Sequence, residues 1–443
     1  MASTQVSDPQ SKTNQSHSNF ASSWLVMLGM VLGCDQTMLV GSTDQDGGGD
    51  GGGVATGSGA GGQSAVSPSA ASKGGAGGAG GLFITLARAG GSAGTSTTMV
   101  GVVGGTGGQP PSPDPIPAGC APISTVPGVV DPCGHAFGVA YSPDGQLLAV
   151  GGDGANPSIH LWRLSDGMLL PDLQGQTFET TYALAFSPDG KTLAAGGYRN
   201  DPTMPDQGYE DSLARVWDVA TGALIVSLPV NSGWYVDSVA FTRDGTLLAT
   251  GGASDAVEIW RVADWTRVLS IAITGTAHNI HFSPDDSKLI IANYNDGKAR
   301  AYSVATGELV LGPLDVAQEM ADAEFSPDGT QVATTWQPSA NAGGPNQVRI
   351  YDAATGTLEQ SLSGHTRYIS QVVWIDQNRL VSGDWDGLVI LWTRDASGAF
   401  SLGKSWSTGG QSLGIGVSPD ETTIVTGGGD LTTGTQGFVF LTL

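Results

Sequence analysis

A short turn that keeps returning constrains this chain more than any other feature. Ser-Pro-Asp-Gly stands at 142–145, 187–190 and 326–329, with variants Thr242-Arg243-Asp244-Gly245, Ser283-Pro284-Asp285-Asp286 and Ser418-Pro419-Asp420-Glu421. Proline presets φ and Asp-Gly closes the bend, so each copy joins two apolar runs that alternate with period two. The residue just before each turn acts as a ruler: Tyr141, Phe186, Phe241, Phe282, Phe325, Trp374 and Val417, with gaps of 45, 55, 41, 43, 49 and 43. Seven units follow. A repeat of this period is one supersecondary unit that buries its apolar face only against its neighbours.

A second landmark lies about twenty residues after the ruler: Ile159-His160-Leu161-Trp162, Arg215-Val216-Trp217-Asp218, Glu258-Ile259-Trp260, Arg300-Ala301-Tyr302, Arg349-Ile350-Tyr351-Asp352 and Val389-Ile390-Leu391-Trp392. Ala-Thr-Gly turns follow at 220–222, 305–307 and 354–356, and then a fourth apolar run such as Ala223 to Leu228. Four short antiparallel strands per unit predict an all-β, seven-bladed β-propeller over residues 120–443. Val216-Trp217-Asp218-Val219-Ala220-Thr221-Gly222 and Ser363-Gly364-His365 resemble the signatures of the WD-repeat family, and the resemblance covers essentially all of this region.

The resemblance implies a hydrogen-bonded tetrad as a blade staple, expected in unit six as His365, Ser382, Asp386 and Trp392. Unit three keeps Thr250, Asp255 and Trp260 without the histidine, and Tyr302 and Tyr351 replace the tryptophan in units four and five. Unit seven stops at its third strand, Phe438 to Leu441. The resemblance therefore implies that a segment ahead of unit one, Pro122 to Val126, supplies the fourth strand and closes the ring.

The first strand of each blade lines the channel. Alternation places the first and third residues before the ruler on the channel side. Polar residues there concentrate in units three to six, where Asn279, His281, Asp322 and Glu324 form a cluster. One histidine and two carboxylates could hold a divalent metal, but the plainer reading is a solvated polar channel with no metal and no cofactor. Gly90-Gly91-Ser92-Ala93-Gly94 and Gly57-Ser58-Gly59-Ala60-Gly61-Gly62 imitate catalytic and phosphate-binding motifs. Both sit in glycine-rich chain without the helix each motif must open, so no catalytic residue is assigned.

The stronger candidate surface is the face built by the loops from strand four to one and from strand two to three. Its aromatic residues are Tyr182, Tyr198, Trp234, Tyr235, Trp336, Tyr368 and Trp385, with Arg199 and Arg367 beside them. The distance from ruler to third-strand aromatic is 31 in unit two and 26 in unit five against 18 to 21 elsewhere, so Tyr198 to Glu210 and Trp336 to Pro345 are insertions on that face. The plainer alternative is that some of these rings cap blade cores.

Ahead of the repeats, residues 41–119 hold 26 glycines in 79 positions and almost no large apolar side chains. Such a composition cannot offset the entropy of ordering, so 35–119 is expected to be a disordered linker, ending in a stiff proline-rich spacer at Pro110 to Pro117. Trp24 to Gly33 is an apolar run of ten residues, half of a membrane-spanning helix. It closes on Val31-Leu32-Gly33-Cys34, so residues 1–34 resemble a bacterial lipoprotein signal, with Cys34 as the lipidation site, although Lys12 is the only base before the run. Cys120 and Cys133 then remain, able to pair as a disulfide after export or to stand as free thiols in the cytoplasm.

Charge narrows the partners. The whole chain carries a net −23, and residues 120–443 hold 35 acids against 15 scattered bases. Clustered bases are what nucleic acid and acidic membranes require, so neither is an expected partner, and membrane contact is expected only through a lipid anchor. The expected function is a non-catalytic scaffold, a monomeric propeller binding a protein or peptide, tethered at the cell envelope. The alternatives are a channel-centred enzyme or lectin-like propeller, and a cytoplasmic scaffold.

Overall fold

The computed structural model describes residues 128–130, 136–153, 158–198, 213–230, 235–314, 319–338, 345–408, 411–430 and 435–443. Cys34, Cys120, Cys133, Arg199, Trp234 and the 35–119 segment lie outside these residues, as do most of the two insertions.

The described residues form seven four-stranded antiparallel sheets. Their inner strands are Ala136–Tyr141, Thr180–Phe186, Val236–Phe241, Ala277–Phe282, Ala323–Phe325, Ile369–Asp376 and Gln411–Val417, so six of the seven end on a ruler residue. Each inner strand lies against the next, and the first lies against the last, which closes the ring. The chain is a seven-bladed propeller.

Period-two alternation turns one side of each blade toward each neighbour. Leu148, Val150 and Trp162 of blade one pack against Val425, Phe438 and Phe440 of blade seven. The opposite side of blade one, Ala149, Ile159 and Leu161, packs against Phe186, Leu193 and Trp217 of blade two. Trp162 and Trp217 are fully buried in these seams, as Trp392 is in the seam between blades five and six, and truncating one would cost about 3–5 kcal/mol.

Closure uses a segment ahead of unit one, as expected; Pro122 to Val126 itself lies outside the described residues. Gly128–Val130 pairs antiparallel with the last strand, Thr435–Thr442, in the register Gly128↔Phe440, Val129↔Val439 and Val130↔Phe438. This segment lies between Pro127 and Pro132, whose rings cannot donate to a ladder, and it carries two β-branched residues.

The recurrent turns explain their own composition. In blade one the Ser142 hydroxyl donates to Asp144 Oδ1 at 2.6 Å and accepts from Leu147 N–H at 2.8 Å, while Asp144 Oδ1 also accepts from Gln146 N–H at 3.0 Å. Gly145, Gly190, Gly245 and Gly329 all have φ near +70°, the left-handed conformation that favours glycine. Asp286 and Glu421 occupy that position in the two variants, at φ 59° and 56°. Each reaches a neighbouring blade: Asp286 accepts from Arg243 and Asp244 N–H at 2.7 and 3.0 Å, and Glu421 pairs with Arg379 at 2.6 Å.

The blade-six staple differs from expectation in one member. His365 Nδ1 meets Asp384 Oδ2 at 2.8 Å, His365 Nε2 meets Ser382 Oγ at 2.7 Å, and Trp392 Nε1 donates to the same hydroxyl at 2.8 Å. The carboxylate is Asp384, not Asp386. Ser382 and Asp384 are two apart on one strand and share a face, whereas Asp386 sits exposed in the following turn against Arg367 at 3.3 Å. Asp384 also accepts from Asp386 and Leu388 N–H, both at 3.0 Å, and so shapes that turn. In blade three Trp260 Nε1 donates to Thr250 Oγ1 at 3.1 Å.

Candidate functional site at the channel mouth

The polar channel residues link blades to one another. Inner strands are not laddered to their neighbours, so their channel-side N–H groups need other acceptors. Ser238 Oγ accepts from Ile280 N–H at 3.1 Å, Asp322 Oδ2 from Val372 N–H at 3.2 Å and Gln371 Oε1 from Ile415 N–H at 2.6 Å. Donor and acceptor hold the same ruler positions in each case, so one device joins blade three to four, five to six and six to seven. Glu324 Oε2 adds a bond from Trp374 N–H at 2.9 Å, and Ser238 Oγ donates to Asn279 Oδ1 at 3.3 Å.

His281 pairs with Asp322 rather than standing as a solvated partner of Glu324: its Nε2 lies 3.0 Å from Asp322 Oδ1, and Asp322 is fully buried. Burial pushes the imidazole down, but the charge and hydrogen bond of Asp322 more than reverse this and raise it to about 9. Burial, opposed by His281, raises the Glu324 carboxyl to about 7. Where the equivalent positions are glycine, the backbones press together instead. A Cβ at Gly138 would stand 2.8 Å from the Tyr182 carbonyl oxygen, and one at Gly414 would stand 2.4 Å from that of Phe137.

One turn nearer the loop face, strand pairing slips between Ala136 and Gly138, Thr181 and Ala183, Val236 and Ser238, Ala277 and Asn279, and Ile369 and Gln371. Each slip is a β-bulge whose extra residue, four before the ruler, escapes the alternation. Those residues are Phe137, Tyr182, Asp237, His278 and Ser370. Period-two counting therefore misses Asp237 and His278; bulges that recur at one offset from the ruler are the signal that finds them.

The bulged side chains build a mouth with two characters. On one side Tyr182 meets Phe137 edge-on at 5.4 Å, stacks on Tyr198 at 5.7 Å and meets Tyr235 at 6.0 Å. On the other, His278 stacks on Tyr294 at 5.6 Å, its Nδ1 lies 3.1 Å from the Ala321 carbonyl oxygen, and Tyr294 hydrogen-bonds Glu319. Tyr368 and Trp385 pack at 4.6 Å between ring centres and are also joined by Trp385 N–H to the Tyr368 carbonyl oxygen at 3.0 Å. Trp336 stands elsewhere in blade five with the Arg349 guanidinium 3.8 Å above its ring.

These rings are less open than a surface patch. Tyr235 is buried, and Tyr182, Tyr198, Trp336, Tyr368 and Trp385 are half-buried, whereas Arg367 is exposed. Burial raises the Asp237 and Glu319 carboxyls, the former strongly, and lifts the Tyr368 phenol, an effect to which Tyr294, Glu319 and Asp237 add. No group of three histidine, cysteine or carboxylate side chains placed to hold a metal occurs among the described residues.

Comparison with known proteins adds the family. The model for "WD domain, G-beta repeat" matches residues 129–163, 169–218, 222–261 and 356–393, which fall within the propeller blades. The chain carries WD40 repeats within a seven-bladed propeller. It is 27% identical to telomerase protein component 1 of Rattus norvegicus over 42% of its own length and 7% of that protein. It is 24% identical to a DDB1- and CUL4-associated factor 11 homolog of Caenorhabditis briggsae over 42% of the chain and 33% of the relative. For eukaryotic translation initiation factor 3 subunit I of Kluyveromyces lactis the figures are 26% identity over 50% of the chain and 65% of the relative. This WD40 propeller thus spans less than two thirds of each of these relatives. Among solved structures it shares its fold with a chain of Kuenenia stuttgartiensis hydrazine synthase, at a TM-score of 0.58 and 16% identity, over 70% of this chain and 96% of that one.

Proposed function

We propose that this WD40 propeller is a non-catalytic platform that holds a protein or peptide partner on its loop face, around the channel mouth. The carrying observation is the cluster of Tyr182 with Phe137, Tyr198 and Tyr235, a rigid aromatic surface at the open end of a channel whose deeper polar groups already serve blade-to-blade hydrogen bonds. Aromatic side chains give large contact area at low entropic cost, which suits a binding hot spot. The relatives support the reading by their names, which describe a component, an associated factor and a subunit. We further propose that the propeller works at the cell envelope, on the strength of the apolar run ending at Cys34 and the glycine-rich tether behind it.

Chemical cross-linking in the native host, followed by mass spectrometry, tests the first part. Tyr182→Ala with an unchanged melting temperature is expected to lose cross-links to the partner that the wild-type chain retains; full retention would overturn the loop-face assignment. Intact mass of the membrane fraction, with a Cys34→Ala control, tests the second. A lipidated chain beginning at Cys34 supports the envelope location, and an unprocessed soluble chain refutes it.

A further inference from the structure

The acidic side of the mouth contains buried polar atoms with nothing to bind. Asp237 Oδ2 and the Tyr368 hydroxyl are both shut off from solvent and lack a hydrogen-bond partner among the described residues. An enclosed acceptor or donor left unpaired costs about 1–3 kcal/mol, so such atoms mark a place built for something that completes them. Their surroundings define what that is. Glu319 adds a second carboxyl beside Tyr294, and Trp385 lies against Tyr368, whose phenol feels the charges of Asp237 and Glu319. Among the described residues no salt bridge engages Asp237 or Glu319, and the chain carries a net −23.

Two carboxyls and a ring of aromatic faces favour a cation. A metal ion fits poorly, because the acids come from separate blades and no ligand triad is assembled among the described residues. An ammonium or guanidinium group fits on three counts. It brings several donors to the empty Asp237 acceptor, its charge favours the ionised forms of Asp237 and Glu319, and it gains from the faces of Tyr368 and Trp385. Building on the loop-face reading above, we propose that the channel mouth is a socket for one lysine or arginine side chain of a partner polypeptide, with Asp237 and Glu319 as its counter-ions.

The test uses the full chain and fluorescence anisotropy with labelled, N-acetylated nine-residue peptide libraries. The central position is lysine, arginine, norleucine or glutamate, and the flanks are randomised. The lysine or arginine library is expected to bind at least ten-fold more tightly than the norleucine one. Asp237→Asn and Glu319→Gln are expected to erase that preference. Both variants should keep the wild-type melting temperature, because burial already disfavours the charged form of each carboxyl. Tyr182→Ala should weaken every library that binds. If norleucine matches lysine and arginine while Tyr182→Ala still weakens binding, the cation socket is wrong and the loop-face platform stands. If the basic preference survives Asp237→Asn and Glu319→Gln, the counter-ion assignment is overturned. If no library binds, or binding ignores Tyr182→Ala as well as both acid variants, the platform and the socket fall together.

Discussion

At the scale of single residues, position along a strand decides which of two similar side chains matters. Asp384 and Asp386 are both near His365 in sequence, but only Asp384 shares the strand face of Ser382 and enters the closed network of His365, Ser382 and Trp392. His365, Ser382 and Asp384 are fully or almost fully buried, so removing one member leaves its partners unsatisfied in a medium where water cannot replace it. Asp384→Ala should cost about 3 kcal/mol in urea unfolding, in the range of broken buried pairs. Asp386→Ala, which removes only the exposed contact with Arg367, should cost less than about 0.5 kcal/mol. Equal effects of the two substitutions would contradict the network. The expectation that named Asp386 had the correct residue type and blade. The strand period, two residues back from the turn, was the cue it passed over.

At the scale of elements, the turns show how a local motif acquires a second use. The backbone at Gly190 has φ +70°, where an L side chain is strained, so Gly190→Ala should destabilise by about 1–2 kcal/mol. The turn aspartates add a dependence on acid. The hydroxyl of Ser187 holds the Asp189 carboxyl down at about 2, and that of Ser283 does the same for Asp285. A carboxyl whose folded value lies below its unfolded value of about 3.9 stabilises the fold fully above that pH and loses the contribution as pH falls through the folded value. The melting temperature should therefore drop between about pH 4 and pH 2, and the drop should be shallower in Ser187→Ala, Ser283→Ala. An identical acid slope in that variant would show that these hydroxyls do not set the titration. Outer strands carry their own device. Register slips opposite Trp217, Trp260, Tyr351 and Trp392 interrupt the free edges, which otherwise expose residues such as Leu309 and Leu402.

For the whole molecule, stability and function both depend on closing the ring. The strand 435–442 bonds to the second strand of its own blade on one side and to Gly128–Val130 on the other, and Phe438 and Phe440 fill the seam with blade one. Deleting residues 438–443 removes both contacts at once. The cooperative thermal transition should be lost, and an unchanged melting temperature would refute closure by this strand.

The amino-acid sequence by itself determined the seven-fold period, the four strands of each unit, the sharp turns and the aromatic residue of the third strand. These depend on φ preferences and on alternation within a few residues, which a chain expresses wherever it lies. Tertiary structure alone decided that Gly128–Val130 closes the ring, that Asp322 and Glu324 are occupied by backbone N–H groups fifty residues away, and that bulges turn Asp237 and His278 into the channel mouth. Those outcomes depend on which unpaired donors and acceptors meet once seven blades stand side by side, and local pattern carries no record of that meeting.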